Sequence, residues 1–184
     1  MNPVCRQSLE AAAALCVSQT NYNVEIEHWL LKLLERSDTD LAALLKHYGV
    51  NTARLCADLT KQIDRLKTGN SRPPALSPDI VDLVREAWLI GTVNHGERAV
   101  RSGHLLCALL AEDAFLRTTS ASAGEFEKLS AETLQKELLS LTAKTAEAVE
   151  AEPAASVEPG SPAKPTGPTK TPALDQYTID LTAR

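Results

Sequence analysis

Two histidines in matching sequence contexts are the residues that most invite a catalytic or metal-binding interpretation. Glu25 and Glu27 precede His28, whereas a serine and a glycine directly precede His104. A shared catalytic or metal-binding role would need a carboxylate or thiol partner near both rings. We therefore expect each imidazole to hydrogen-bond locally at the start of a helix, and we predict neither a catalytic residue nor a metal site.

The cysteines give no sign of a metal site, a disulfide framework or a nucleophile. No two of them form a C-x-x-C pair, and none stands beside a histidine at zinc-finger spacing. Free cysteine behaves as a small buried hydrophobe. We expect buried free thiols at all four positions, Cys5, Cys16, Cys56 and Cys107.

One short stretch faintly resembles a phosphate-binding loop. It reads Gly-Pro-Thr-Lys-Thr from Gly167 onwards. A true P-loop has the pattern G-x-x-x-x-G-K-[ST] between a strand and a helix, and its backbone N–H groups surround the phosphates. Here a proline removes one of those donors and no strand precedes it. We predict that this chain holds no ATP or Mg²⁺ and is not itself an enzyme.

Charge and hydropathy exclude two further classes of protein. The chain has 19 basic and 24 acidic residues in 184, giving a net charge of −5, whereas nucleic-acid binders usually carry a basic patch. The longest apolar run, 11–17, is far shorter than a membrane span, and the N-terminus lacks the order of a secretory signal. We expect a cytoplasmic protein that contacts neither nucleic acid nor membrane.

The elements that must position any site are helices. Apolar residues recur at helical spacing from residue 4 to about 145, and no segment alternates as a strand would. Pro3 and Ser77-Pro78 have the residue types favoured at helix starts. The predicted helices are about 3–19, 26–36, 41–48, 51–66, one from 78, one from 102, 122–129 and 131–145.

The C-terminal part differs sharply in composition. Six of the ten prolines lie between Pro153 and Pro172, in a stretch with no aromatic residue, leucine or isoleucine. Such a segment cannot bury enough apolar surface to offset the entropy of ordering, so 146–173 is predicted to be a disordered linker. Residues 174–184 regain apolar spacing, and we expect them to begin a further module absent from this chain.

An internal repeat organises the helical part. The string Leu9-Glu-Ala-Ala-Ala-Ala-Leu-Cys16 matches Leu83-Val-Arg-Glu-Ala-Trp-Leu-Ile90, and 27–34 matches 103–110. Neither half alone buries a generous core. The sequence therefore predicts a domain over 1–145 in which two four-helix units, about 1–67 and 76–145, pack as a pseudo-twofold pair.

These residues resemble a known family. The double repeat with its His-Leu-Leu-x-Ala-Leu-Leu element is similar to the N-terminal domain of Clp-type AAA+ unfoldases. The strings Asn2-Pro-x-Cys-Arg6 and Glu25-Ile-Glu-His-Trp-Leu-Leu-Lys-Leu-Leu-Glu35 further resemble ClpV, the type VI secretion ATPase. Residues 175–183 resemble the opening of the first Clp ATPase module, where the ATP and Mg²⁺ sites would lie.

The resemblance implies a binding function. In that family the N-domain captures an amphipathic helix from the N-terminus of the larger subunit of the secretion sheath, and the sheath is then disassembled and recycled. Such capture is helix-in-groove docking. The alternative is the N-domain of a general Clp disaggregase that binds adaptors or unfolded segments. The resemblance further implies a hexameric full-length parent, and we expect the isolated domain to be a monomer.

Five residues are predicted to line the groove: Leu9, Ala12, Ala13, Leu76 and Ile80. The competing interpretation of Ala12 and Ala13 is that they line the core between the repeats. For Leu76 it is a hydrophobic staple, in which the residue before a helix cap packs onto the first turn. Because Met1 directly precedes Asn2, the short extension that the family usually carries there is missing, and we expect a groove with one wall absent and lower affinity.

Overall fold

The computed structural model describes residues 1–112, 115, 123–126 and 129–150. Most of these residues are helical, which confirms the predicted all-α fold. The helices are α1 Pro3–Ser18, α2 Ile26–Leu34, α3 Asp40–His47, α4 Thr52–Ile63, α5 Pro78–Leu89, α6 Ser102–Ala111, α7 Ala123–Phe126, α8 Ala131–Thr142 and α9 Ala146–Glu150. A π-helical turn, Ile90–Asn94, extends α5.

Side-chain caps define where four of these helices begin. The oxygen of the capping residue accepts a hydrogen bond from the backbone N–H three residues later, a donor that has no acceptor within the helix. Asn2 caps α1 and Thr39 caps α3, at 2.8 and 3.1 Å. Asn51 caps α4 and Ser77 caps α5, at 3.0 and 3.4 Å. The sequence predicted all four starts within one residue, with α3 one residue late.

The two repeats pack in the same way, as the duplication predicts. In the first, α1 packs on α2, and α2 packs on α4; in the second, α5 packs on α6, and α6 packs on α8. Helix α3 joins the repeats because it contacts both α6 and α8. One continuous apolar core results, and its largest side chain, Trp29, is 1% exposed and donates its indole N–H to the carbonyl of Cys5 at 3.2 Å.

Two very short strands were not predicted. Strand β1, Asn23–Val24, pairs in parallel with β2, Ala75–Leu76, and Ser77 N–H extends the pairing by donating to the Val24 carbonyl at 3.0 Å. The expectation of no strand is therefore wrong at these positions. Two residues are too few to show an alternating pattern, so sequence periodicity could not detect them.

A buried ionic cluster lies between the repeats. Arg101, which precedes α6, donates to both carboxylate oxygens of Asp40 at 2.7 and 2.9 Å and to Glu97 at 2.7 Å. The same guanidinium donates to the Thr142 hydroxyl at 3.0 Å, at the end of α8. Asp40 is 0% exposed and Arg101 is 4% exposed, so both charges depend on each other for stabilisation.

The linker was predicted to begin at residue 146, which is too early. Residues 146–150 form α9, and Glu147 is fully buried. The compact unit that contains these helices runs from Met1 to Glu152. The remainder of the predicted linker, the phosphate-loop-like stretch and the predicted start of a further module lie outside the described residues. Within the described helices, none is long and apolar enough to cross a membrane.

Candidate groove on helix α1

The five predicted groove residues fall into two groups. Leu76 is 47% exposed, and Leu9 and Ala13 are half-buried residues packed against the core. Ala12 and Ile80 are 0% and 1% exposed, so the prediction that they line an open groove is wrong. Ala12 instead occupies the core, which was its competing interpretation. Both face inward because a helix buries one full stripe of its surface.

The exposure of Leu76 favours the groove interpretation over the hydrophobic staple. A staple would pack Leu76 onto Val81, four residues beyond the cap Ser77. Val81 is 48% exposed and Leu76 is 47% exposed, more than a mutually packed pair would retain. The pairing of β2 with β1 fixes the backbone beneath Leu76 and holds its side chain at the surface.

A cavity connects α1 with the segment that leads to Leu76. Val17 and Thr20 form one side and residues 70–74 form the other, enclosing about 380 Å³. Asn70 N–H donates to the carbonyl of Thr20 at 2.9 Å, which holds the two sides together. We call Leu9, Ala13, Val17 and the segment 70–76 the α1–β2 surface. The volume of the cavity is at the lower end of the range for ligand pockets.

Val17 is the groove residue that the sequence analysis missed. It is 57% exposed and lies four residues after Ala13 and eight after Leu9, so the three share one face of α1. Tyr22, 53% exposed, lines a second cavity of about 220 Å³ beyond the end of α1. The i, i+4, i+8 spacing of Leu9, Ala13 and Val17, which places all three on one helix face, was the available signal.

A buried carboxyl group lies within electrostatic range of the first turn of α5. Glu27, in the first turn of α2, is 4% exposed, and burial together with the charges of Glu25 and Asp79 raises its pKa to about 7. Asp79 belongs to the first turn of α5, three residues after Leu76. Protonation of Glu27 near neutral pH is therefore coupled to the stability of the folded protein, close to the α1–β2 surface.

The two equivalent histidines cap helices, as predicted. Nδ1 of His28 accepts from the backbone N–H of Glu25 at 3.1 Å, and Nδ1 of His104 accepts from that of Arg101 at 3.3 Å. Because Nδ1 is the acceptor, Nε2 carries the proton, and in His28 it donates to Asn21 at 3.1 Å. Burial lowers the pKa of both rings, that of His104 to about 4, where the charges of His95 and Arg101 also contribute.

The thiols are mostly buried. Cys5, Cys16 and Cys107 are buried and Cys56 is half-buried, and all four are free. Burial raises the pKa of each thiol, that of Cys107 to about 12, so none of them is an activated nucleophile at neutral pH. Among the residues that the structure describes, no three His, Cys, Asp or Glu side chains are arranged to hold a metal ion.

A second apolar area lies in the other repeat. Leu89, Val93 and Leu139 are 43%, 75% and 43% exposed and line two neighbouring cavities that share Asn94 and Gln135. Trp88, in the last turn of α5, is 50% exposed. These residues offer a comparison surface for tests of the α1–β2 surface.

A family sequence model that matches most of the chain agrees with the fold and with the internal repeat. The sequence model of the Clp repeat (R) N-terminal domain matches residues 1–122. The chain belongs to this family. The match covers α1 to α6 and both capping histidines, so the predicted resemblance to a Clp N-domain is confirmed.

Individual relatives place this Clp N-domain near ClpV. The AAA+ ATPase ClpV1 of Pseudomonas aeruginosa is 30% identical over 99% of the chain, and the chaperone ClpB of Yersinia enterocolitica is 30% identical over 96%. A solved complex of a ClpV N-domain with a VipB peptide superposes with a TM-score of 0.70 at 28% identity, covering 80% of this chain and 89% of the other. The chain spans about a fifth of each relative's length, 21% and 20%.

Proposed function

We propose that this chain is the substrate-recognition domain of a ClpV-like ATPase. It binds the amphipathic N-terminal helix of the larger type VI sheath subunit so that the sheath can be disassembled and recycled. The observation that carries this proposal is the apolar α1–β2 surface, on a fold shared with a ClpV N-domain that was solved in complex with a VipB peptide.

The α1–β2 surface has the features that helix docking requires. Leu9, Ala13 and Val17 form an apolar row along α1, and Ala13 is small enough for a ligand backbone to approach closely. Leu76 provides an exposed anchor on a backbone fixed by the strand pair. An amphipathic helix places apolar residues at i, i+3, i+4 and i+7, and these can enter such a row.

This role is binding without chemistry. On the proposal, ATP and Mg²⁺ act in the ATPase modules of the full-length protein, which works as a hexamer in the cytoplasm and contacts neither nucleic acid nor membrane. The isolated domain acts as a monomer. The buried neutral thiols and the capping histidines support a domain that recognises a partner and leaves the chemistry to other parts of the protein.

The deciding experiment is a calorimetric titration of the domain with a synthetic peptide. The peptide covers the first ~20 residues of the larger sheath subunit from the same organism, about the length of a helix that could span the surface. Saturable binding supports the proposal, and a peptide with a central proline should bind at least about tenfold more weakly because proline breaks the helix. Absence of saturation at high micromolar peptide would overturn it.

A second candidate function is that of a general Clp disaggregase N-domain. The ClpB relative, which is also 30% identical to this chain, favours this alternative. It predicts binding of unfolded model proteins that is insensitive to a proline in the sheath peptide. Titration with a permanently unfolded, carboxymethylated protein separates the two functions, because a dedicated helix groove should bind the sheath peptide far more tightly.

A further inference from the structure

Three cations lie close together in the chain just after α4. Arg65, Lys67 and Arg72 are all exposed, and no acidic residue occurs between Arg65 and Asp79. The chain as a whole carries a net charge of −5, so this local excess of positive charge runs against the overall balance. Within the described part of the chain, none of the three cations belongs to an ion pair. We call residues 65–72 the basic segment, and its charges are available to a partner.

The basic segment borders the α1–β2 surface at the end where α1 stops. Arg72 lines the cavity of about 380 Å³ together with Val17. Lys67 lines the neighbouring cavity of about 220 Å³ together with Tyr22. The two cavities share Asn21, three residues after the last residue of α1. A helix docked along α1 therefore has one of its ends beside these two cations.

Hydrogen bonds hold the backbone of the basic segment against the end of α1. Gly69 N–H donates to the Thr20 hydroxyl at 3.0 Å, and the side-chain amide of Asn70 donates to the Asn21 carbonyl at 3.1 Å. The side-chain amide of Asn21 in turn donates to the Lys67 carbonyl at 3.2 Å. The cations therefore stand on a fixed backbone, and less conformational entropy is lost when a ligand meets them than on a mobile loop.

Thr20 adopts a conformation that this residue type rarely takes. Its φ is +54°, in the left-handed region, where a β-branched side chain is strained. Its carbonyl and its hydroxyl accept the bonds from Asn70 N–H and Gly69 N–H at 2.9 and 3.0 Å. Strained residues of this kind concentrate at functional sites, where the surrounding contacts hold them in place. The contact between the basic segment and α1 is thus maintained against a backbone cost.

The other charges along the α1–β2 surface do not reproduce this excess. On α1, Arg6 and Glu10 are both exposed and have opposite signs. Among the described residues that line the two cavities, Glu25 is the one acid, and it caps α2, where the helix dipole favours a negative charge. Even with the exposed Asp64 that precedes it, the basic segment keeps a positive excess. The surface is therefore basic at the end of α1 and balanced along the helix.

We propose, building on the helix-binding function proposed above, that the basic segment selects a helix with acidic residues at one end and directs that end towards Lys67 and Arg72. Apolar side chains of the helix then lie on the row along α1, and its carboxylates lie beside the two cations. Apolar contacts supply most of the affinity, whereas the charges give specificity and faster association. They also set the direction of docking, which an apolar row alone defines poorly.

Two forms of one peptide test this proposal by calorimetry on the full chain. The first is the sheath peptide described above, and in the second every Asp and Glu of that peptide is replaced by Asn and Gln. At low salt the wild type should bind the acidic form at least about fivefold more tightly, and ~0.5 M sodium chloride should remove most of that difference because it screens exposed charges. Lys67→Glu/Arg72→Glu should lose the preference, while its affinity for the neutral form and its melting temperature stay close to those of the wild type.

A matched control and a direct measurement of direction complete the experiment. Arg98→Glu/Lys136→Glu makes the same change of charge at two exposed cations outside the α1–β2 surface, and it should keep the preference for the acidic form. A nitroxide label at the more acidic end of the peptide reports where that end lies. It should broaden the NMR signal of Gly69 more strongly than that of Arg6.

The outcomes separate the directing role of the basic segment from the function on which it rests. If the wild type binds both forms equally, or if reversing Lys67 and Arg72 changes no more than the control does, the directing role is wrong and the helix-binding function stands. A nitroxide that broadens Arg6 more strongly than Gly69 also overturns the directing role. If the wild type binds neither form, the function itself fails and the directing role fails with it. Should Lys67→Glu/Arg72→Glu not fold, the wild-type comparison of the two forms and the nitroxide measurement still decide.

Discussion

Arg101 and Asp40 form a bidentate ion pair in the interior, with N–O distances of 2.7 and 2.9 Å, although they lie 61 residues apart in the chain. One partner precedes α6 of the second repeat and the other begins α3 of the first. The pair therefore joins the two repeats, and both charges are buried.

Breaking this ion pair should be costly. In Asp40→Asn the guanidinium of Arg101 stays buried beside an amide that cannot neutralise it, and we expect the free energy of unfolding to fall by about 3–5 kcal/mol. Urea denaturation measures the change. The control is Asp38→Asn, which breaks the exposed pair with Arg36 and should cost less than about 1 kcal/mol. Equal effects of the two variants would contradict a structural role for the buried pair.

Leu76 should matter for binding and not for stability. Leu76→Arg removes an exposed apolar anchor, so we expect at least about tenfold weaker binding of the sheath peptide by calorimetry. The helical circular dichroism signal and the melting temperature should stay within about 2 °C of the wild type. Leu139→Arg, at a comparably exposed leucine of the second apolar area, should leave peptide binding unchanged. A large loss of stability in Leu76→Arg would instead place Leu76 in the core.

Glu27 should make stability depend on pH. Its pKa is raised to about 7 in the folded protein from an ordinary value of 4.5, so the folded state holds the proton more tightly than the unfolded chain. The stabilisation of the folded state by the protonated Glu27 carboxyl is fully present below about pH 4.5 and is lost as the pH rises through 7. The wild type should lose about 2–3 kcal/mol of unfolding free energy between pH 5 and pH 8 from this group.

Glu27→Gln should remove that part of the pH dependence. Urea denaturation at pH 5 and pH 8 should then show a smaller difference for the variant, and the variant should be relatively more stable at pH 8. Glu10→Gln, at an exposed position of α1, should retain the wild-type difference. A pH difference identical in Glu27→Gln and the wild type would show that this carboxyl group is not responsible.

Gly91 should not tolerate a methyl group. A Cβ there would lie 2.8 Å from Nδ1 and 3.0 Å from Cε1 of His104, whose ring is buried and held by Arg101 N–H. We expect Gly91→Ala to cost about 1–3 kcal/mol in thermal or urea unfolding, despite the better helix propensity of alanine. Gly96→Ala meets open space and should cost only about 1 kcal/mol, because its φ of +66° disfavours a side chain.

Local patterns were sufficient for helices α1 to α6 and α8 and for the role of the histidines. Caps such as Asn51 and Ser77 act through the next three residues, so the sequence alone contains the whole interaction. The capping role of His28 and His104 was predictable for the same reason, since each bonds a backbone group three residues away.

The groove and the burial of Glu147 depend on long-range packing that sequence periodicity does not reveal. Periodicity shows that α1 has an apolar stripe, but it does not show which alanine faces the core, so Ala12 was misplaced and Val17 was missed. Glu147 lies in an Ala-rich segment with the composition of a linker, and its partners Asn2 and Ser102 are 145 and 45 residues away. Only the packed structure brings these groups together.

The contrast between the two tryptophans gives this domain a pair of built-in optical reporters. Trp29 is 1% exposed and bonded to Cys5, whereas Trp88 is 50% exposed at the end of α5. A soluble quencher such as acrylamide should reach the emission of Trp88 in the native state and that of Trp29 only after unfolding. Global unfolding and events on the outer face of α5 can therefore be followed separately by intrinsic fluorescence, without attaching a dye.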